Sequence, residues 1–128
     1  MASRGRRCGG STSDASPAER DRPTPTISAR RKELAPVIHD AFEAFSSAVF
    51  AAGAVDEKTK QLIAVAVAHV TQCPYCIRGH SRLAKRKGAT PEEIMEAIWV
   101  AAEMRAGGAY AHATLALEAI GEDHQVQH

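Results

Sequence analysis

From Leu62 to Val70 the chain is apolar on nearly every side at helical spacing, with Leu62, Ile63, Val65, Ala66, Val67 and Val70 in close succession. A helix of that kind belongs at the centre of a fold or against a neighbouring subunit. Asp56 supplies an N-cap before it and the run ends at about Gln72. The next residues, Cys73-Pro74-Tyr75-Cys76-Ile77-Arg78-Gly79-His80, must open a second helix almost at once, because Pro74 fits a first turn and disrupts a helix interior. Two helices and a tight junction carrying two thiols are therefore set by this one stretch.

The remaining punctuation extends the pattern. Apolar residues from Leu34 through Phe42, Phe45 and Phe50 keep a helical period from about Ala29 to Ala52, ending at Gly53, with Pro36 in the first turn of the main helix. The helix opened by Pro74 carries Cys76, His80, Leu83 and Ala84 and stops at Gly88. Thr90-Pro91-Glu92-Glu93 is a capping box with proline at the first helical position, opening a helix through Ile94, Ala97, Ile98, Ala101 and Met104. Gly107-Gly108 is expected to break or bend the chain before a last helix from about Ala109 to Ile120. Aromatic residues make up only 5% of the chain, and the abundant alanine suits closely packed helices better than a sheet. The expected fold is all-α, about five helices in one domain over residues 29–121, with a disordered tail over 1–28 and a frayed end over 122–128.

The tail is rich in Gly, Ser, Pro and charge and holds Cys8 beside Gly9 and Gly10, read as an incidental exposed thiol. Its basic residues resemble a transit peptide, but Asp14, Glu19 and Asp21 argue against one. The net charge of +1 and the lack of a basic run in the periodic region disfavour nucleic acid as a partner. No stretch is long and apolar enough for a membrane span, and no secretory signal is legible, so a cytoplasmic protein is expected.

Cys73, Cys76 and His80 follow one another at i, i+3 and i+7, which places two thiols and an imidazole on one helix face. A thiol attacks as thiolate, and the first turn of a helix beside an imidazole favours that form. The grouping points to thiol-disulfide or peroxide chemistry. Metal binding, with His69 or His112 as a fourth ligand, lacks the second paired ligand set of a structural zinc site. Haem attachment needs a histidine directly after the second cysteine, where Ile77 stands. Inert core cysteines are the remaining bland reading. No flavin or nicotinamide motif is present, so no cofactor is expected.

The segments KTKQLIAVAVAHVTQCPYCIRGH and KGATPEEIMEAIWVAAEMRAGGAYAHA resemble the carboxymuconolactone decarboxylase superfamily, and specifically its alkylhydroperoxidase AhpD-like branch. The resemblance spans about Lys58 to Leu117; the decarboxylases that name the superfamily typically lack the cysteine pair. It implies a peroxidase in which Cys76 is the peroxidatic thiol, Cys73 the resolving thiol and His80 the relay imidazole. The family's relay glutamate falls on Gln61, which hydrogen-bonds but takes up no proton as a carboxylate does. Two substitutes are at hand. Glu57 lies one turn before Gln61, and His69 lies two turns after it on a nearby face. Tyr75, between the cysteines, is expected to shield the site, and Arg78 to face solvent.

The resemblance further implies a hydroperoxide substrate, a thioredoxin-like or lipoyl-bearing protein as reductant, and a homo-oligomer, trimer or hexamer. The apolar helix of residues 57–72 points independently to an oligomer. Two alternatives use the same residues: a thiol-disulfide oxidoreductase without peroxidase activity, and a carboxymuconolactone decarboxylase-like lyase with His80 as base. A pure binding or assembly module would tolerate changes at all three motif positions.

Overall fold

Pro36 forces the residue before it out of helical geometry, and the chain obeys: Ala35 sits at φ −150°, ψ 65° and divides two helices. The structure, a computed structural model, describes residues 25–122. Helix α1 runs Pro25–Leu34 and α2 Pro36–Phe50, where the apolar period alone predicts one helix from about Ala29. Pro36 does occupy the first turn of the main helix, as its φ dictates. The helical chain thus begins inside the stretch read as tail; most of that tail, with Cys8, lies outside the described residues, as do residues 123–128.

Helix α3 spans Glu57–Thr71, capped by the Asp56 carboxylate, which accepts from the Thr59 N–H at 2.7 Å. That bond holds the Asp56 carboxyl below its ordinary range. The helix ends at Gln72, whose φ of 56° and ψ of 42° are left-handed, unusual for a residue with a Cβ. This one residue turns the chain, and α4, Pro74–Arg86, starts from Cys73 as its N-cap. Gly88, at φ 93°, closes α4 in the conformation glycine alone adopts cheaply.

Helix α5, Pro91–Ala111, opens on the complete Thr90/Glu93 capping box, and the Glu93 carboxylate also takes an ion pair from Lys58 of α3 at 2.9 Å. It does not break at Gly107-Gly108, as the sequence implies, but continues to Ala111 before α6, Ala113–Ala119. Neither glycine adopts positive φ. A glycine inside a helix weakens it by about 1 kcal/mol without ending it, and His112 is where the α5 helix stops.

Among the described residues there is no strand, and the architecture is helical throughout. Helix α3 is central, packing against both α4 and α5. Val65 and Ala84, both fully buried, meet Ala89 at the middle, with Leu62, Ile94 and Ile98 around them. Among the described residues helix α1 packs on α2 alone, and α2 leans on α3 only lightly and buries no residue. Val37 is 81% exposed and Phe42 and Phe45 are 63% and 64% exposed. Among the described residues no helix is long and apolar enough to cross a membrane.

Candidate functional site

The junction of α3 and α4 brings the chemistry together. Cys73, as N-cap, turns its sulfur back over the first turn of α4, where it accepts the Cys76 N–H at 3.3 Å. The two cysteines are joined as a disulfide, with Cα atoms 5.3 Å apart. One turn further on, the His80 ring meets α3: its Nδ1 lies 2.8 Å from Oε1 of Gln61. An amide oxygen only accepts, so Nδ1 carries the hydrogen and donates, leaving the Nε2 lone pair free. Gln61 is only 4% exposed, which makes it a fixed acceptor.

Phe50, the last residue of α2, stacks on the other side of the imidazole with ring centroids 5.0 Å apart and planes 29° from parallel. Lys60 holds that end of α2 in place, its Nζ donating to the carbonyl oxygens of Val49 at 2.8 Å and Ala51 at 2.6 Å. These are carbonyls that a helix C-terminus leaves without partners, and a cation suits the negative end of its dipole. The half-buried His80 is pushed below the usual histidine range by loss of water around the charged form. It is therefore a neutral imidazole with one nitrogen spoken for and one available as a base.

A cavity of about 410 Å³ opens against this group. Val49 and Phe50 of α2 form one wall; Lys60, Ile63, Ala64, Val67, Ala68 and Thr71 of α3 form another; Cys76 and His80 of α4 complete it. The lining is almost wholly apolar, so a bound ligand meets a sulfur and an imidazole in poorly hydrated surroundings.

Of the residues singled out in the sequence, Cys73, Cys76, His80 and Gln61 come together here. His69 does not line the cavity; its Nδ1 bonds back to the Val65 carbonyl oxygen at 2.7 Å, within α3. Glu57 is a first-turn acid on α3 and pairs with Lys87 at 2.6 Å, in a separate depression shared with Asp56, Lys58 and Gly88. Tyr75 is exposed and off the cavity wall, and Arg78 is half-buried and not open to solvent as expected. Among the described residues no three His, Cys, Asp or Glu side chains converge as metal ligands. Phe50 and Lys60 carry no signal of their own in the sequence. Phe50 is legible only as the last large apolar residue before Gly53, and Lys60 as one more charge on the first turns of α3.

The sequence model of the carboxymuconolactone decarboxylase family matches residues 36–119, which is α2 to α6. The chain belongs to the carboxymuconolactone decarboxylase family. Among its relatives is a Paracoccus denitrificans protein described as uncharacterized protein 4 in the cox locus, 71% identical over 85 residues, 66% of this chain and 77% of that one. An uncharacterized protein of Haemophilus influenzae is 38% identical over 84 residues, covering 66% and 74% of the two chains. Among solved structures, a carboxymuconolactone decarboxylase family protein from Legionella pneumophila is similar at a TM-score of 0.60 and 38% identity, over 76% of this chain and 87% of its own. A protein from Methanobacterium thermoautotrophicum is similar at 0.62 and 37% identity, over 65% and 93%. The matched segment of this chain contains Cys73, Cys76, Gln61, His80 and the residues that line the cavity.

Proposed function

We propose that the protein is a thiol-dependent peroxidase of the AhpD-like branch, reducing organic hydroperoxides through the Cys73/Cys76 dithiol. The observation that carries this reading is the pairing of Cys76 with His80 on one apolar cavity, with Cys73 in disulfide reach. Cys76 thiolate attacks the terminal oxygen of the hydroperoxide, forming an S–O bond as the O–O bond breaks. The sulfur becomes a sulfenic acid and the departing alkoxide takes a proton as alcohol. In this reading Nε2 of His80, the ring nitrogen that Gln61 does not engage, accepts the thiol proton first and returns it to that alkoxide, with Nδ1 held throughout by Gln61. Cys73 thiol then condenses with the sulfenic acid, releasing water and closing the disulfide, which two electrons from an external thiol reductant reopen.

A thioredoxin-like or lipoyl-bearing protein fits that donor role, and a reducing cytoplasm fits the cycle. The apolar side chains left open on α2 support a homo-oligomer. A second reading, a thiol-disulfide oxidoreductase without peroxidase activity, is favoured by one observation: Gln61 stands where a proton-accepting carboxylate would complete the relay.

Stopped-flow oxidation of the reduced protein by cumene hydroperoxide and by hydrogen peroxide separates the two. Rapid disulfide formation that fails in Cys76→Ser supports the peroxidase. Oxidation no faster than that of a free thiol would move the assignment to disulfide exchange. In Cys73→Ser the sulfenic acid is expected to persist on Cys76, and loss of His80 is expected to slow the first step about 10²- to 10⁴-fold.

A further inference from the structure

The two sulfurs of the disulfide have different surroundings, and the difference bears on how it is reopened. Cys73 Sγ caps a thirteen-residue helix and already accepts the Cys76 N–H at 3.3 Å. Negative charge arriving on that sulfur meets a hydrogen-bond donor aimed at it and the positive end of the helix dipole. Cys76 has its own N–H committed to Cys73, and its side chain lines the cavity, which Cys73 does not.

We infer that reduction is regiospecific: the reductant's thiolate attacks Sγ of Cys76 and expels Cys73 as the thiolate, so the mixed disulfide forms on Cys76. Exchange is faster when the leaving thiol is the more acidic one, and Cys76 is the sulfur whose residue lines the cavity; both considerations select the same direction here. In the first step an RS–Sγ bond to Cys76 forms as the bond between Cys76 and Cys73 breaks, and the electron pair stays on Cys73. A second thiolate, from the same dithiol or another thiol, then attacks the reductant's sulfur. It forms the reductant's disulfide and releases Cys76 as thiolate. Two thiols are oxidised and one protein disulfide is reduced.

Cys73 in this scheme bonds covalently to Cys76 alone, while Cys76 meets both oxidant and reductant in one cavity. An apolar ligand lodged against Ile63 and Val67 is therefore expected to block reduction as well as oxidation. The inference rests on the proposed dithiol-disulfide cycle but does not require a peroxide as oxidant.

The test uses the oxidised wild-type chain with 2-mercaptoethanol and no peroxide, acid-quenched at a series of early times, alkylated with N-ethylmaleimide and mapped by tandem mass spectrometry. The earliest adduct is expected on Cys76, with maleimide on Cys73, in about tenfold excess over the reverse. Equal labelling, or mercaptoethanol mainly on Cys73, overturns the inference. Thiolate absorbance titration of Cys76→Ser and Cys73→Ser, each also carrying Cys8→Ser so that a single thiol remains, gives an independent measure, since serine at 73 still caps the helix and serine at 76 keeps its N–H. The lone Cys73 is expected to ionise well below the ordinary thiol value of about 8.5 and below the lone Cys76; the opposite order also overturns it. If peroxide oxidation proves slow while the adduct maps to Cys76, the peroxidase reading falls and this one stands. Fast peroxide oxidation with the adduct on Cys73 gives the converse.

Discussion

At the scale of single residues the decisive contact is the 2.8 Å bond from His80 Nδ1 to the Gln61 amide oxygen. A carboxylate there would fix the same tautomer but also attract the imidazolium; the amide orients the ring and leaves its charge unsupported. In Gln61→Glu the His80 pKa is expected to rise, because a carboxylate favours the charged ring, moving the acid limb of any His80-dependent pH profile upward. NMR titration of the ring checks this without reference to turnover. The wild-type shift, downward through burial, has its own consequence for folding. As pH falls through the ordinary histidine value of about 6.5, the unfolded chain takes up a proton that folded His80 resists. The unfolded state then binds more protons, so stability declines as pH falls across that window. Urea denaturation at several pH values is expected to show a shallower decline in His80→Gln than in wild type.

At the scale of elements, local backbone chemistry was legible and long-range contacts were not. Asp56, Pro74, Gly88 and the Thr90/Glu93 box each act on their own turn, and each stands where the spacing puts it. The cysteine pair with His80 was likewise visible as one helix face. The Phe50 stack and the Lys60 clasp join α2 to residues ten or thirty positions away, and no local preference encodes them. The double glycine misleads for the opposite reason: glycine permits a break, but neighbours that favour helix carry α5 through it. Gln72 adopts a left-handed turn that sequence reasoning had no cause to assign to glutamine. Gln72→Gly is expected to raise stability by up to about 1 kcal/mol, read from the urea midpoint, because glycine relieves the Cβ clash at a helix end.

For the whole molecule, the buried centre around Val65 and Ala84 is small beside the apolar surface left open on α2, where Val37, Ile38, Phe42 and Phe45 face outward. Contiguous exposure of that kind marks an association surface, in keeping with the proposed oligomer. Sedimentation velocity is expected to give a species larger than the 13.7 kDa chain, and Phe42→Asp with Phe45→Asp to reduce it toward the monomer. A monomeric wild-type chain would remove the basis for the proposal. The wall of the cavity formed by Val49 and Phe50 belongs to this same helix, which is tied to the α3–α4 unit by the Lys60 hydrogen bonds and the His80 ring stack at its last turn. The cavity is therefore finished by a segment only lightly secured within one chain. If neighbouring copies steady that segment, the proposed peroxidase turnover per molecule becomes a property of the population: it falls on dilution, and an assay run at nanomolar protein reports a different catalyst from one run at micromolar.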